Sequence, residues 1–504
     1  MNKKRSFYNI TIGIASQILS IVLGILIPKL FLMSFGSEVN GFLNSVTQIF
    51  AYFALLEAGV GAATLQALYG PVGKDEKDNI SAIMAATNQY YKKTGLFYFL
   101  AVVGLAIFYP IVVETEIPTF TMIAIILMNG VPGVVSYYFQ GKYIILLQAE
   151  GKNYINTALT SISSTLISII KIIMLYLGCN ILAIQFTYLV INLMKVVIIA
   201  FYIKRNYHWL DLKVKADYDA INQKNAAFVN QICDLIFRNT DTIILTIFCD
   251  LKLVSVYAMY TLLFSMVRTA LDYIAQGFAF IMGQAYHKDL KKYIVLHDLY
   301  ETYRMAITFA LYNIAFIFII PFMRLYTEGV TDINYIDYKL AVMFVVFYLL
   351  TGARACEADL INYAQHFKLT QSRCVAEAII NLVISIVAVI KWGIYGVLLG
   401  TIVALLYRMN DMILYANGRI LKRGSWVTYR KVISNGILFT IITAIAMKIP
   451  WQLDSYILII GWACVSGIII VVLYLIIASI VNRDSFAVLK TYLIDYLKKK
   501  NKIL

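Results

Sequence analysis

The chain has 504 residues, of which 61% are hydrophobic and 14% charged, and its formal net charge is +15. That hydrophobic share is far above the share of a soluble domain, so the composition excludes a soluble enzyme and predicts an integral membrane protein. The positive charge is concentrated in short polar segments between apolar runs. This pattern is typical of a membrane protein whose basic loops lie on the cytoplasmic side and are attracted to an anionic leaflet. It is not typical of a nucleic-acid-binding protein.

About fourteen apolar runs follow one another along the chain, each long enough to cross a hydrocarbon core about 30 Å thick as a helix. The runs are continuous rather than alternating, which excludes a transmembrane β-barrel. The predicted fold is therefore an all-α polytopic membrane protein. The predicted spans are approximately 8–35, 42–69, 92–113, 119–145, 156–178, 181–203, 227–249, 254–285, 304–322, 338–364, 373–391, 394–417, 431–449 and 456–480.

Lysine and arginine outside the predicted spans are distributed unevenly between alternate loops. With the N-terminus inside, the inside segments hold most of them, among them Lys3, Lys4 and Lys422, while the outside turns hold few, such as Lys252. Cytoplasmic loops collect basic residues in membrane proteins. The asymmetry predicts an even number of spans with both termini in the cytoplasm.

A weak internal repeat, with an offset of about 213 to 217 residues, relates spans 1 to 6 to spans 7 to 12. When the two halves are aligned, Glu57 corresponds to Asp272 and Lys195 corresponds to Arg408. We therefore predict two six-helix lobes in parallel pseudo-repeat, with the substrate between them. The predicted parts are an N-terminal lobe at 1–205, a cytoplasmic linker at 206–226, a C-terminal lobe at 227–420, helices 13 and 14 at 421–481, and a basic amphipathic cytoplasmic tail at 482–504.

Basic residues also occur inside the predicted spans, where each would cost about 2.5 to 3.5 kcal/mol if it faced lipid at the bilayer centre. They must line a polar interior, pair with acids, or extend to a membrane surface. A cationic interior predicts an anionic substrate. The residues are Lys29, Lys142, Lys171, Lys195, Arg238, Arg268, Arg354 and Arg408.

The two predicted lobes differ in where their acidic residues fall. In the second lobe, each basic residue has a carboxylate three or four positions away, on the same face of a helix. These groups are Asp234 and Asp241 around Arg238, Arg268 with Asp272, Arg354 with Glu357, and Arg408 with Asp411. In the first lobe the lysines have no such neighbour, and Glu57 is the clear buried acid. These arginine–carboxylate pairs are consistent with two roles. They neutralise buried charge for stability, or they act as a switch between two transport states.

The sequence predicts no enzyme active site. All four histidines, His208, His287, His297 and His366, fall in predicted cytoplasmic loops, and the cysteines lack metal-ligand spacing. The predicted outside turns are short, apart from about fifteen residues between Arg324 and Tyr338, so an external catalytic domain has no place. We expect a transporter with no cofactor and no metal.

Several segments resemble one family of membrane proteins. They are Ile27-Pro28-Lys29-Leu30-Phe31 with Phe35-Gly36-Ser37-Glu38-Val39-Asn40-Gly41, Leu55-Leu56-Glu57-Ala58-Gly59-Val60-Gly61-Ala62-Ala63, Leu68-Tyr69-Gly70-Pro71, Gln148-Ala149-Glu150-Gly151-Lys152-Asn153-Tyr154, Glu377-Ala378-Ile379-Ile380-Asn381-Leu382 and Gly396-Val397-Leu398-Leu399-Gly400-Thr401. Together they look like bacterial polysaccharide flippases, the Wzx-type branch of the MATE-like exporter superfamily. The resemblance covers nearly the whole chain.

The resemblance implies a carrier in the bacterial cytoplasmic membrane. It would move an undecaprenyl-pyrophosphate-linked oligosaccharide from the inner to the outer leaflet, for capsule, exopolysaccharide or O-antigen assembly. The last two spans would hold the polyprenyl tail, and alternating access would be driven by protons, sodium or the membrane potential. The expected partners are the lipid-linked substrate, membrane lipids, a polysaccharide polymerase and glycosyltransferases.

The charge pattern gives each candidate residue a hypothetical role. We assign binding of the substrate pyrophosphate to Lys29, Lys195, Arg268 and Arg408, with Lys142 and Lys171 as further candidates. We assign ion coupling or charge balance to Glu57, Asp272, Asp234 and Asp241. We assign structural ion pairs to Arg238, Arg354, Glu357 and Asp411. Two other functions stay open. A lipid II flippase shares this chemistry, whereas an exporter of drugs or organic cations would favour buried carboxylates over buried cations.

Overall fold

The computed structural model describes residues 3–57, 60–221, 235–236, 239–449, 451 and 453–500. Within these ranges every regular element is helical, which confirms the predicted all-α fold. Eleven of the described helices are long and apolar enough to cross a membrane. The chain is therefore a multi-pass membrane protein.

The chain forms two compact units, one made of Met1–Ser255 with Gly329–Ile333 and the other of Val256–Glu328 with Asn334–Leu504. The lobe boundaries drawn from the repeat stay a prediction. The helices of the first unit are α1 (Lys3–Phe53), α2 (Val60–Lys74), α3 (Lys77–Val112), α4 (Thr119–Phe139), α5 (Gly141–Ala149), α6 (Asn153–Tyr176) and α7 (Ile181–Asn206), followed by helical residues 239–248. Helix α8 (Leu251–Lys288) begins in the first unit and continues into the second.

Helix α1 contains the junction between the first two predicted spans. The helix breaks at Gly36, whose φ of 78° lies in the left-handed region that favours glycine. Immediately after it, the backbone N–H and hydroxyl of Ser37 donate to Asp332 at 2.7 and 2.6 Å. The break lies in the polar stretch between the two apolar runs, as their spacing predicts.

The second unit continues from α8 with eight more helices. They are α9 (Leu290–Tyr326), α10 (Tyr338–Ala353), α11 (Ala355–Tyr363), α12 (Phe367–Trp392), α13 (Ile394–Tyr415), α14 (Trp426–Ala446), α15 (Tyr456–Val481) and α16 (Arg483–Lys500). Side chains cap several of these helices: Asp289 accepts from the first turn of α9, Asp337 from α10, and Ser455 from α15. The helix in the tail matches the apolar spacing of the sequence.

Helices α12 and α13 pack with unusually close backbones. A Cβ added at Gly396 would lie 2.2 Å from the carbonyl oxygen of Ala388, and one added at Gly400 would lie 2.2 Å from the Ser385 hydroxyl. Any larger residue would push the helices apart. These glycines therefore serve packing, and they hold the charged residues of the two helices within reach of each other.

Candidate functional site

A polar cavity of about 310 Å³ lies inside the first unit. It is lined by side chains from α1, α3, α4 and α7 and by Gln140. Among the described residues that line it, Lys195 is the only charged one. The amides Asn129, Gln140 and Asn192 and the ring of Tyr188 surround it. The lysine predicted as a substrate ligand therefore faces amides and rings.

Lys195 and Lys171 share Tyr188 as a neighbour. The Lys171 ammonium lies 5.6 Å from the centre of the Tyr188 ring and 5.5 Å from that of Phe31. Contacts of this kind stabilise a cation through the ring quadrupole without neutralising it. Within the described ranges, neither lysine has a carboxylate partner. The structure thus brings two of the predicted anion ligands to one region of α6 and α7.

Lys142 and Lys29 lie elsewhere in the first unit. Lys142 is only 5% exposed, and its ammonium donates to the Asn88 amide oxygen at 2.6 Å and to the Tyr138 carbonyl at 2.9 Å. It therefore does not extend to a membrane surface, and its hydrogen-bond partners are neutral. Lys29 is half-buried on α1, directly after Pro28.

Glu57 ends a short 3₁₀ turn after α1. Its carboxyl group accepts a hydrogen bond from the Tyr91 hydroxyl and is also in hydrogen-bonding contact with Tyr137. The described partners of the predicted coupling acid are thus two phenols. Phenol hydroxyls satisfy a buried carboxyl group without fixing its charge, so Glu57 keeps the chemistry needed to bind and release a cation.

A compact charge cluster joins α12 and α13 in the second unit. Arg408 contacts Asp411 at 2.5 Å and Glu377 at 3.4 Å, while Arg354 contacts the other oxygen of Glu377 at 2.5 Å. Arg373 reaches Asp411 at 2.7 Å. Arg408 is 4% exposed. The arginine predicted to bind substrate is therefore held by two carboxylates.

The structure corrects the predicted pair of Arg354 with Glu357. Arg354 lies at the break between α10 and α11, so a spacing of three residues does not place the two side chains on one helix face. Arg354 pairs with Glu377 instead, and Glu357 is buried against Glu301. Local sequence spacing did not identify Glu377 as a partner, because the arginines that it contacts lie outside its own helix.

The remaining predicted pairs differ in burial. Arg268 and Asp272 do meet, at 3.7 Å, but their side chains are 29% and 54% exposed. Asp241 is buried in the helical segment 239–248, next to Thr240, whose hydroxyl bonds Tyr52 at 2.6 Å. Asp234 and Arg238 lie outside the described residues.

A second buried network of ion pairs was not predicted from the sequence. Lys431 contacts Asp298 at 2.5 Å and Glu301 at 2.7 Å, and Arg423 contacts the same two acids at 3.2 and 3.1 Å. The prediction that His297 lies in a loop is wrong: it is 1% exposed within α9. The capping residue Asp289, fifteen residues before the apolar run, could have revealed that α9 starts early.

An apolar cavity of about 1140 Å³ lies in the second unit, between α8, α9, α15 and α16. Phe278, Ile476, Phe486 and Leu489 contribute to an almost wholly apolar lining, and Arg483 lies at its edge. The apolar face of the tail helix therefore covers part of this cavity. Its volume exceeds that of most small-molecule pockets.

Comparison with solved structures shows which proteins share this architecture. The structure is similar to a lipid II flippase, MurJ, in an inward closed conformation, with a TM-score of 0.66 at 14% identity over 94% of this chain and 99% of that one. It is also similar to an inward-facing multidrug resistance MATE family transporter of the MOP superfamily, with a TM-score of 0.61 at 15% identity over 80% and 95% of the two chains.

The fold is that of these transporters. A third structure, a MATE protein in a bent conformation, gives a TM-score of 0.53 at 14% identity over 88% of this chain and 97% of that one. No protein-family model matches the sequence. No curated protein sequence matches it either. Because the identities are this low, the likeness establishes the fold, and the chemistry must be argued from the residues themselves.

Proposed function

We propose that the protein is a flippase of the Wzx type, which moves an undecaprenyl-pyrophosphate-linked oligosaccharide from the inner to the outer leaflet of a bacterial cytoplasmic membrane. It is a transporter and not an enzyme. Both termini lie in the cytoplasm, and the transported repeat unit is used for cell-surface polysaccharide. Glycosyltransferases assemble the repeat unit before it is moved, and a polymerase acts on it afterwards.

The observation that carries this proposal is the apolar cavity of about 1140 Å³ along α8, α9, α15 and α16. A small hydrophilic substrate has no use for so large an apolar surface, whereas a polyprenyl chain can pack against it through van der Waals contacts. Arg483, which also lines the cavity, can meet the polar end of a lipid. The cavity therefore fits a lipid-linked substrate better than a soluble one.

The lining of the polar cavity in the first unit is suited to the anionic and saccharide parts of the proposed substrate. Asn129, Gln140 and Asn192 offer amide donors and acceptors, and the buried Gln140 side-chain oxygen has no hydrogen-bond partner among the described residues. Amides and aromatic faces match sugar hydroxyls and ring C–H groups. Lys195 supplies the positive charge that a pyrophosphate requires.

Within this proposal the lysines of the first unit bind the substrate, while the charge cluster around Arg408 is structural. Glu57 binds the coupling cation, a proton or sodium, and Asp241 and Asp272 remain further candidates for that role. The organic-cation exporter is disfavoured because the cavity of the first unit presents an ammonium group to its contents. A cation would be repelled there.

The test is lipid analysis after deletion of the gene in its own host. We expect accumulation of a carrier lipid loaded with a complete oligosaccharide repeat unit, confined to the inner leaflet. Accumulation of lipid II would instead identify a lipid II flippase. Unchanged glycolipids together with new sensitivity to cationic drugs would refute the proposal in favour of the exporter.

A further inference from the structure

Two glutamates that the proposed function does not use meet in the interior of the second unit. Glu301 lies on α9 and Glu357 on α11, and both side chains are 0% exposed. Glu357 lies close enough to Glu301 for their charges to interact, and neither of its oxygens has a hydrogen-bond partner among the described residues. A second ionised carboxylate buried in this way beside the first is strongly unfavourable, so one of the two carries a proton.

The surroundings show which oxygen atoms hold the negative charge. Glu301 Oε2 accepts from Lys431 at 2.7 Å and from Arg423 at 3.1 Å, and its Oε1 accepts from the Thr428 hydroxyl at 2.6 Å. Neither oxygen of Glu357 meets an N–H donor or a hydroxyl within the described ranges. Glu301 is therefore the carboxylate, and Glu357 is the group that donates the shared proton.

Charge balance leads to the same conclusion. The carboxyl groups of Asp298, Asp359, Glu301 and Glu357 face three cations, Arg304, Arg423 and Lys431. With every acid ionised, the described cluster would hold one uncompensated negative charge in the protein interior, which is strongly unfavourable. One bound proton makes the cluster neutral.

A base that can take up this proton lies one helical turn away. His297 precedes Glu301 by four residues on α9, is 1% exposed, and neither of its ring nitrogens has a hydrogen-bond partner among the described residues. An imidazole nitrogen in this state can accept a proton and pass it on. His297 is thus a buried base on the same helix as Glu301 that can accept the proton of the pair.

We propose that Glu301 and Glu357 form a proton-binding site, in which one proton bridges the two carboxyl groups and holds α9 against α11. Release of the proton, through His297 to water, leaves two adjacent buried carboxylates that repel each other. The helices then separate at this point, and Cys356, buried beside Glu357, becomes accessible. This site needs no transported substrate, so it stands independently of the proposed function.

Infrared spectroscopy of the full-length protein in lipid nanodiscs tests the bound proton. The wild-type protein should show the C=O stretch of a buried protonated carboxyl group, which disappears as the pH is raised. Glu357→Gln should remove this band, because glutamine keeps the shape and a donor to Glu301 but carries no carboxyl proton. Glu150→Gln is the matched control, since Glu150 is paired with Lys152 at 2.5 Å and should leave the band intact. If neither Glu357→Gln nor Glu301→Gln lowers the carboxyl intensity below that of the wild type, the proposal is overturned. Intensity that remains in both variants belongs to other protonated acids, such as Glu57.

Thiol labelling of the wild-type protein tests the separation of the helices and does not depend on any variant folding. Cys356 is 3% exposed, whereas Cys179, in the turn between α6 and α7, is partly exposed. Maleimide labelling located by mass spectrometry should show the ratio of labelled Cys356 to labelled Cys179 rising at least tenfold as the carboxyl band disappears. A ratio that stays constant across that pH range would overturn the switch.

Discussion

In the first unit, Lys142 is held by an amide oxygen and a backbone carbonyl, and Lys171 lies over two aromatic rings. In the second unit, Arg354 and Arg408 each contact a carboxylate at 2.5 Å. Neutral dipoles and ring faces stabilise a cation but leave its charge available to a ligand, while a carboxylate at that distance cancels it. The first unit is thus suited to bind an anion, and the second is suited to hold helices together.

We expect the largest effect when a cation of the second unit is removed. Arg408→Met should lower the free energy of unfolding by about 3 kcal/mol, because it removes the charge-assisted contacts to both Glu377 and Asp411, and each acid then keeps one arginine partner. Chemical unfolding of the purified protein in detergent measures the change. Arg408→Lys is the control, since it keeps the charge and should lose less. Equal stability of wild type and Arg408→Met would contradict a structural role.

Removal of Lys195 should affect binding and leave the fold intact. Lys195→Ala should weaken binding of an undecaprenyl-pyrophosphate sugar about 10-fold to 100-fold, because a charge-assisted contact contributes about 1.5 to 3 kcal/mol. Binding to the purified protein in nanodiscs provides the measurement, and Lys195→Arg should retain most of the affinity. The assignment fails if Lys195→Ala binds normally and also complements a strain that lacks its own flippase.

Lys142→Met measures what a buried cation contributes when its partners are neutral. The variant leaves the Asn88 amide oxygen without its described donor, and we expect a loss of about 1 to 2 kcal/mol in the free energy of unfolding. No contact to a carboxylate is lost, so the loss should be smaller than for Arg408→Met in the same unfolding assay. A larger loss would show that the cations of the first unit also serve mainly to stabilise the fold.

The smallest effect is expected at the exposed pair of the second unit. Arg268→Met should change the free energy of unfolding by less than about 1 kcal/mol, because Arg268 and Asp272 are partly solvated and 3.7 Å apart. Raising the salt concentration should reduce even this difference. A loss as large as that of Arg408→Met would mean that exposure does not separate weak from strong pairs here.

Local sequence spacing was sufficient for some of the charge contacts. Arg408 with Asp411 and Arg268 with Asp272 are three and four residues apart on one uninterrupted helix, so helical geometry alone brings them together. The same reasoning failed at Arg354, where the helix breaks. The roles assigned to the first-unit lysines and to Glu57 remain predictions.

Other contacts could not be predicted from spacing. Arg354 and Glu377 are 23 residues apart, and Arg423 and Glu301 are 122 residues apart. Lys431 stands at the start of the predicted span 431–449 and Arg423 lies just before it, yet the Lys431 side chain is 1% exposed and pairs with two acids of another helix. Sequence hydropathy reports whether a segment is apolar, but it does not report which neighbouring helix covers its polar end.

The membrane class, the helical spans, the amphipathic tail and the many cations in apolar surroundings can all be predicted from the sequence alone. These properties follow from composition and from short-range periodicity, which act within a few residues of the chain. The tertiary structure decided which cations are neutralised, because that depends on the rotation and approach of helices far apart in sequence. It also buried Glu301 and Glu357, which lie on different helices, close enough for their charges to interact.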